Sequence, residues 1–171
     1  MEDALLVIDM LNDFILDSGV LYIPDARKII PFIRDEIFFA RQKKIPVIYI
    51  CDSHKEADEE FELYPPHCIE STFGSLIIEE LSPVAGDIVV KKTRFSGFYK
   101  TELDEILREK NCKTLTITGV LTNICVLYTA CDASCRDYKI VIKKRCVASN
   151  SKYLHDFALK QLNIVHKARI I

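Results

Sequence analysis

Short apolar runs rich in valine and isoleucine recur along the chain, each closed by charged or turn-forming residues. They alternate with stretches whose apolar residues fall at helical spacing. The runs at residues 4–8 (ALLVI), 46–51 (PVIYIC), 87–91 (DIVVK), 114–119 (TLTITG) and 139–143 (KIVIK) are nearly continuous, as expected of strands buried on both faces of a parallel sheet. A sixth strand is expected near 163–170. Residues 26–43 carry Ile29, Ile30, Ile33, Ile37, Phe38 and Ala40 at near-helical spacing, and Pro31 requires the regular helix to begin close to it. Residues 101–110 place Leu103, Ile106 and Leu107 on one face behind Thr101 as N-cap. Residues 123–136 and 151–161 supply two more helices. This βαβα rhythm predicts a three-layer α/β/α fold, a Rossmann-like open, mostly parallel sheet of five to six strands with helices on both faces.

Ligands of such sheets bind beyond the carboxyl ends of the strands. There Asp9 ends the first strand, Asp52 the second and Lys91 and Lys92 the third, while Cys125 follows the fourth at a helix start. Reactive side chains from four strand ends are thus expected on one rim. Composition narrows what they meet. A length of 171 residues fits one domain, 1–171, and a hydrophobic share of 49% with 28% charged residues fits a globular chain with a real core. Twenty-three basic against 25 acidic residues give a net charge of -2, so no global field favours nucleic acid or an anionic membrane, and a small, near-neutral partner is expected. No apolar run approaches the roughly eighteen residues of a membrane span. The seven cysteines, an odd number with no secretory signal ahead of them, read as free thiols of a cytoplasmic protein.

Cys125 lies in TGVLTNICV. In the first turn of a helix, a thiolate is favoured by the dipole and by unpaired backbone N–H groups, which can also hold an oxyanion. Asp9 can take the thiol proton, and a lysine ammonium beside them would steady the charge. A cysteine by itself is more often an inert buried thiol; the three groups on one rim make it a candidate nucleophile. A second cluster lies in CDSHKEADEEFELYPPHC. Asp52 and His54 are two apart in an extended segment and face the same way, and His67 returns after a Pro65–Pro66 corner. Two imidazoles and a carboxylate suit zinc, iron, manganese or nickel, with Glu56, Asp58, Glu59 and Glu60 as candidates for a fourth ligand. The bland reading is a solvated acidic loop with two surface histidines. His155 and His166, on an expected helix and edge strand, are read as structural. Cys131 and Cys135, four apart on a helix, are read as packing rather than as a redox pair.

With these residues in hand, the sequence resembles the isochorismatase-like cysteine hydrolases, along nearly the whole chain, and among them it is most similar to the nicotinamidases. The strand-end Asp followed by Asp-Phe appears as DMLNDF. The lysine motif appears as KTRFSGF, which selects Lys92 over Lys91, and the nucleophile motif appears as GVLTNICV with TACDA. The metal pattern of the nicotinamidase branch matches Asp52, His54 and His67 directly, with Glu60 resembling the fourth ligand.

The resemblance implies a catalytic Asp9, Lys92 and Cys125, and a cis peptide between Val120 and Leu121. It also implies an oxyanion hole of the Leu121 and Cys125 N–H groups, and Phe14 and Tyr64 packed on the substrate. The expected cofactor is a divalent metal ion, zinc foremost, that binds the pyridine nitrogen of nicotinamide, a substrate of NAD salvage. A homo-oligomer is expected. Two rival readings remain: a related cysteine amidohydrolase acting on another small amide, and a non-catalytic metal-binding module. Where the family has Gln this chain has Leu11, and CIESTFGS replaces a Gly-rich segment.

Overall fold

The computed structural model describes residues 2–171. Six strands form one sheet: β1 (Asp3–Ile8), β2 (Val47–Asp52), β3 (Ile88–Lys92), β4 (Thr114–Val120), β5 (Lys139–Ala148) and β6 (Arg169–Ile170). Their order is β3-β2-β1-β4-β5-β6, and all neighbouring pairs are parallel. The order reverses between β1 and β4, so the crevice outside their carboxyl ends is the topological switch point where such sheets bind ligands.

Alternation along the strands builds two cores. Ala4, Leu6 and Ile8 of β1 pack on one face with α3 (Leu103–Glu109), α4 (Leu127–Ser134) and α5 (Lys152–His166). Leu5 and Val7 pack on the other with α2 (Ile30–Gln42), through Ile33, Ile37 and Ala40. Helices therefore cover both faces of the sheet. A one-turn helix, α1 (Asn12–Ile15), which the periodicity did not mark, follows β1. Among the described residues, no helix is long and apolar enough to cross a membrane.

Several expectations are corrected. Only the central strands are buried on both faces. β3 forms an edge of the sheet and leaves Val89 44% exposed, and β5 carries exposed Lys144 and Arg145 and runs on to Ala148. The first half of the stretch at 163–170 belongs to α5, which continues to His166 and stops where Lys167 turns left-handed (φ 54°). β6 keeps two residues, and His166 ends a helix instead of lying on a strand. A hydrophobic run of that length suits either period, and the helix was favoured by packing Ala158, Leu159 and Leu162 onto the core. In the 26–43 segment a 3-10 turn (Ala26–Ile29) precedes α2, whose first turn holds Pro31. Thr101 sits one residue before the cap of α3, donates to Gly97 O and accepts from Leu103 N at 3.3 Å.

Gly119 explains how β1 and β4 approach so closely at the switch point. Its φ is +107°, and a Cβ there would lie 2.0 Å from Ile8 O; only glycine fits. The register of β4 against β5 shifts between Ile117 and Gly119, which re-aims the chain immediately before the Val120–Leu121 bond.

Candidate functional site

Asp9 follows β1 in a left-handed conformation (φ 51°), Asp52 closes β2 and Lys92 closes β3. The Cys125 turn follows β4. The expected helix over 123–136 begins instead as a π-type turn, Thr122–Val126, in which Val126 N donates to Leu121 O at 3.2 Å, and α4 starts only at Leu127. The Val120–Leu121 peptide bond is cis. Thr122 Oγ1 lies 2.9 Å from His155 Nδ1, and Ser149 Oγ donates to Asn123 Oδ1 at 2.5 Å. The turn is thereby tied to α5 and to the end of β5.

These elements bring Asp9, Lys92 and Cys125 together. The Lys92 side chain is fully buried, with Nζ 2.9 Å from Asp9 Oδ2 and 3.5 Å from Cys125 Sγ, and it also donates to Asp52 Oδ1. One oxygen each of Asp9 and Asp52 and the sulfur of Cys125 lie within 4.8 Å of one another. Asp9 Oδ1 accepts from Asp52 N at 2.9 Å. Asp9 Oδ2 faces the ammonium as an ion pair off the hydrogen-bond direction, so this buried oxygen has an unfilled acceptor position.

The electrostatics follow from one ammonium shared by two buried carboxylates. Burial, and then the charge of Asp52, push the Asp9 carboxyl up to about 6 against the pull of Lys92. Burial also opposes the charge of Asp52, but Lys92 and the two imidazoles hold that carboxyl well below the usual range. Burial works against the Lys92 ammonium, yet Asp52 and Asp9 keep it firmly protonated. The Cys125 thiol is pushed up chiefly by burial; Lys92 pulls the other way, and the two carboxylates add to the rise. The resting sulfur is therefore a thiol, as a proton transfer to Asp9 requires, beside a carboxylate ionised at neutral pH. Thiol and base are arranged for proton transfer as the sulfur reacts.

The loop after β2 builds the second cluster. Ser53–His54 extends the strand and zips onto the returning chain, with His54 N donating to Cys68 O and Glu70 N to His54 O. Asp13 pins that return through Cys68 N at 2.7 Å, and the Asp13 carboxylate fills the space a Cβ on Gly74 would need. His54 Nε2 and His67 Nε2 lie 3.9 and 3.8 Å from Asp52 Oδ2. Their other nitrogens are held by Asp58 Oδ2 at 3.1 Å and Pro65 O at 2.8 Å, which leaves both Nε2 lone pairs aimed inward.

One ligand atom from each of Asp52, His54 and His67 falls within 4.8 Å of the others. His54 Nε2 and Glu60 Oε2 are buried without a partner, and each orphan costs about 1–3 kcal/mol unless something binds it. A nitrogen-and-oxygen triad with orphaned donor atoms fits a borderline divalent cation. Glu60 is buried but stands outside the close triad, 3.9 Å from Arg94 Nη1. Glu56 and Glu59 are exposed.

The two clusters face one cavity of about 40 Å³. Cys125, Leu121 and Ile124 form one wall, Asp52, Glu60 and His67 another, and Phe14, Leu21, Tyr64 and Phe95 the remainder. Phe14 and Tyr64 pack on His67 with ring centroids 5.7 and 6.4 Å away. Phe95, which the sequence reading passed over, lies 6.1 Å from Tyr64; its place in KTRFSGF, three residues after Lys92, was the available signal. No Lys or Arg is among the lining residues. Lys91 points outward to Glu70 at 2.7 Å. Cys131 is half-buried and Cys135 exposed, both as free thiols.

Comparison with known proteins places this fold in a family. The N-carbamoylsarcosine amidase of Thermoplasma acidophilum superposes with a TM-score of 0.91 at 37% identity, over 99% of this chain and 95% of that one. Nicotinamidase/pyrazinamidase PncA of Bacillus subtilis superposes with a TM-score of 0.95 at 34% identity, over 99% of both chains. The pyrazinamidase of Pyrococcus horikoshii, solved in complex with zinc, gives a TM-score of 0.94 at 28% identity, over 100% of this chain and 99% of that one. The sequence profile of the Isochorismatase domain matches residues 3–169. With the overall fold and nearly the whole length in common, this chain belongs to the isochorismatase-like hydrolase family.

Proposed function

We propose that this hydrolase is a nicotinamidase, converting nicotinamide and water to nicotinic acid and ammonia through a thioester on Cys125. The observation that carries the reading is the position of Lys92. Its ammonium ties Asp9, beside the sulfur, to Asp52, beside the two imidazoles, so a nucleophile and a cation site flank one small apolar cavity. A ring of neutral hydrocarbon with a polar atom at each end matches that layout. No Lys or Arg side chain lines the cavity to pair with an anionic substrate.

A divalent ion held by Asp52, His54 and His67, zinc foremost, would supply a Lewis-acid anchor for the pyridine nitrogen. The chain's own groups do the rest. Asp9 Oδ2 takes the proton from Cys125 as the sulfur attacks the amide carbon, and the Leu121 and Cys125 N–H groups receive the oxyanion. Asp9 returns the proton to the nitrogen as the C–N bond breaks and ammonia leaves. It then takes a proton from the water that cleaves the thioester, and Cys125 recovers its proton as nicotinic acid departs. Lys92 keeps Asp9 ionised between transfers. Phe14, Tyr64 and Phe95 hold the ring and exclude bulk water.

The cavity volume also supports a second reading. At the ~10–15 Å³ that each enclosed water needs, about 40 Å³ holds a few waters, so seating a pyridine amide requires the cavity wall to widen. A smaller linear amide would not require this. Ammonia release from nicotinamide and from a linear carbamoyl amide, each with zinc and with chelator, separates the two. The nicotinamidase reading expects turnover of nicotinamide that chelation removes, and no ammonia from nicotinamide in the zinc-loaded protein refutes it. Replacing Cys125 by Ala should lower turnover by about 10⁴-fold or more and abolish the acyl-protein adduct seen by mass spectrometry of the quenched reaction.

A further inference from the structure

Asp58 and Arg94 belong to neither cluster, yet their contacts converge on one metal ligand. Asp58 Oδ2 lies 3.1 Å from His54 Nδ1. The other oxygen, Oδ1, accepts from Glu60 N at 2.9 Å and from Arg94 Nη1 at 2.8 Å. The Asp58 side chain is only 9% exposed and that of His54 is wholly buried, so these charge-assisted bonds form in a poorly screened setting. Arg94 follows Lys92 by two residues, is anchored by its own bond to Thr93 O, and stands 3.9 Å from Glu60 Oε2. One carboxylate thus joins three segments: the extension of β2 bearing His54, the turn bearing Glu60, and the chain leaving β3.

We infer that Asp58 and Arg94 are a positioning pair that sets the metal affinity of the Asp52, His54 and His67 site by locking the tautomer and orientation of the His54 ring; this rests on the metal-dependent reading above. A carboxylate only accepts, so the proton of a neutral His54 resides on Nδ1 and Nε2 keeps its lone pair for the cation. Without Asp58 the ring can carry its proton on Nε2, where it repels a cation, and can rotate away. Arg94 fixes Asp58 against His54 and balances its charge, which keeps that carboxylate from turning inward to become a ligand itself. The competing account makes Asp58 merely the N-cap of the 3-10 turn Glu59–Glu62. Asparagine caps such a turn equally well, but its amide group leaves one of the three donors around position 58 without an acceptor.

The test is zinc affinity of the full chain, read by competition with a chromophoric chelator, for wild type, Asp58→Asn, Arg94→Ala, Arg94→Lys and, as a control on the exposed ion pair nearby, Glu70→Gln. Positioning predicts about 10-fold to 100-fold weaker zinc binding in Asp58→Asn, a similar direction in Arg94→Ala, partial recovery in Arg94→Lys, and no change in Glu70→Gln. The melting temperature in chelator should fall only modestly in Asp58→Asn, because the cap survives while one buried donor loses its acceptor. Arg94→Ala has a decisive sign. Removing a positive charge near a cation site would tighten binding by Coulomb's law alone, whereas positioning predicts loosening. Wild type that binds zinc, with Asp58→Asn unchanged or Arg94→Ala tighter, overturns the positioning pair and leaves the metal site standing. Wild type that binds no zinc overturns both.

Discussion

Replacing Lys92 by Met keeps the length of the side chain and removes the charge that the site is built around. In the protein the Lys92 side chain is fully buried, with Asp9 and Asp52 1% and 5% exposed beside it. The variant leaves two carboxylates in the interior with no cation between them. Breaking a buried ion pair from one side costs about 3–5 kcal/mol. At about 2–4 °C per kcal/mol for a chain of this length, the melting temperature should fall by about 6–20 °C. The assay is thermal and urea unfolding in chelator at neutral pH, so that no metal substitutes for the ammonium.

The pH dependence supplies the sign. Asp9 is already held at about 6, above its ordinary 3.8, and without Lys92 it must rise further. A carboxyl whose folded pKa lies above its unfolded value removes stability as pH rises through the interval between them. The deficit of the variant should therefore narrow between neutrality and about pH 5, as the buried pair takes up a proton. The hydrolase activity proposed above should be lost at every pH. A melting temperature within about 2 °C of wild type, or a deficit that widens on acidification, would refute the idea that one ammonium holds both carboxylates.

Further expectations concern the same rim. With Asp9 as base, kcat/KM should decline as pH falls through about 6, and loading the site with a divalent ion should move that limb to lower pH by offsetting the charge of Asp52; a limb that moves upward contradicts the assignment. Gly119→Ala forces a Cβ to 2.0 Å from Ile8 O at a φ of +107°, so urea unfolding should show a loss of about 2–4 kcal/mol, and a midpoint equal to wild type would refute the close-approach argument. Gly74→Ala must displace the Asp13 carboxylate that pins Cys68 N; zinc affinity should fall because His67 is the next residue, and an unchanged affinity would show that the loop holds its ligand without Asp13.

The alternation of apolar runs with helical stretches already implied an open α/β sheet, because a strand buried by helices on both faces must be apolar throughout. The spacing of charged residues at strand ends likewise marked one rim, since parallel strands all present their carboxyl ends to the same side. Asp9, Asp52 and the Lys91–Lys92 pair were legible for that reason, while the choice of Lys92, like Cys125 and His67, rested on motifs whose residues lie close together in the chain.

Other features needed the folded chain. The edge position of β3 and the extension of α5 depend on which neighbours cover a surface, and local periodicity does not encode that. How firmly Cys125 holds its proton also depends on the fold, because burial of the sulfur works against the thiolate that a helix start favours. The sharing of Lys92 between Asp9 and Asp52, the place of Phe95 in the cavity wall and the grip of Asp58 on His54 join segments 43, 31 and 4 residues or more apart. Residue types and local order are written in the sequence; distances between distant segments, and the charges those distances permit, exist only once the chain has folded.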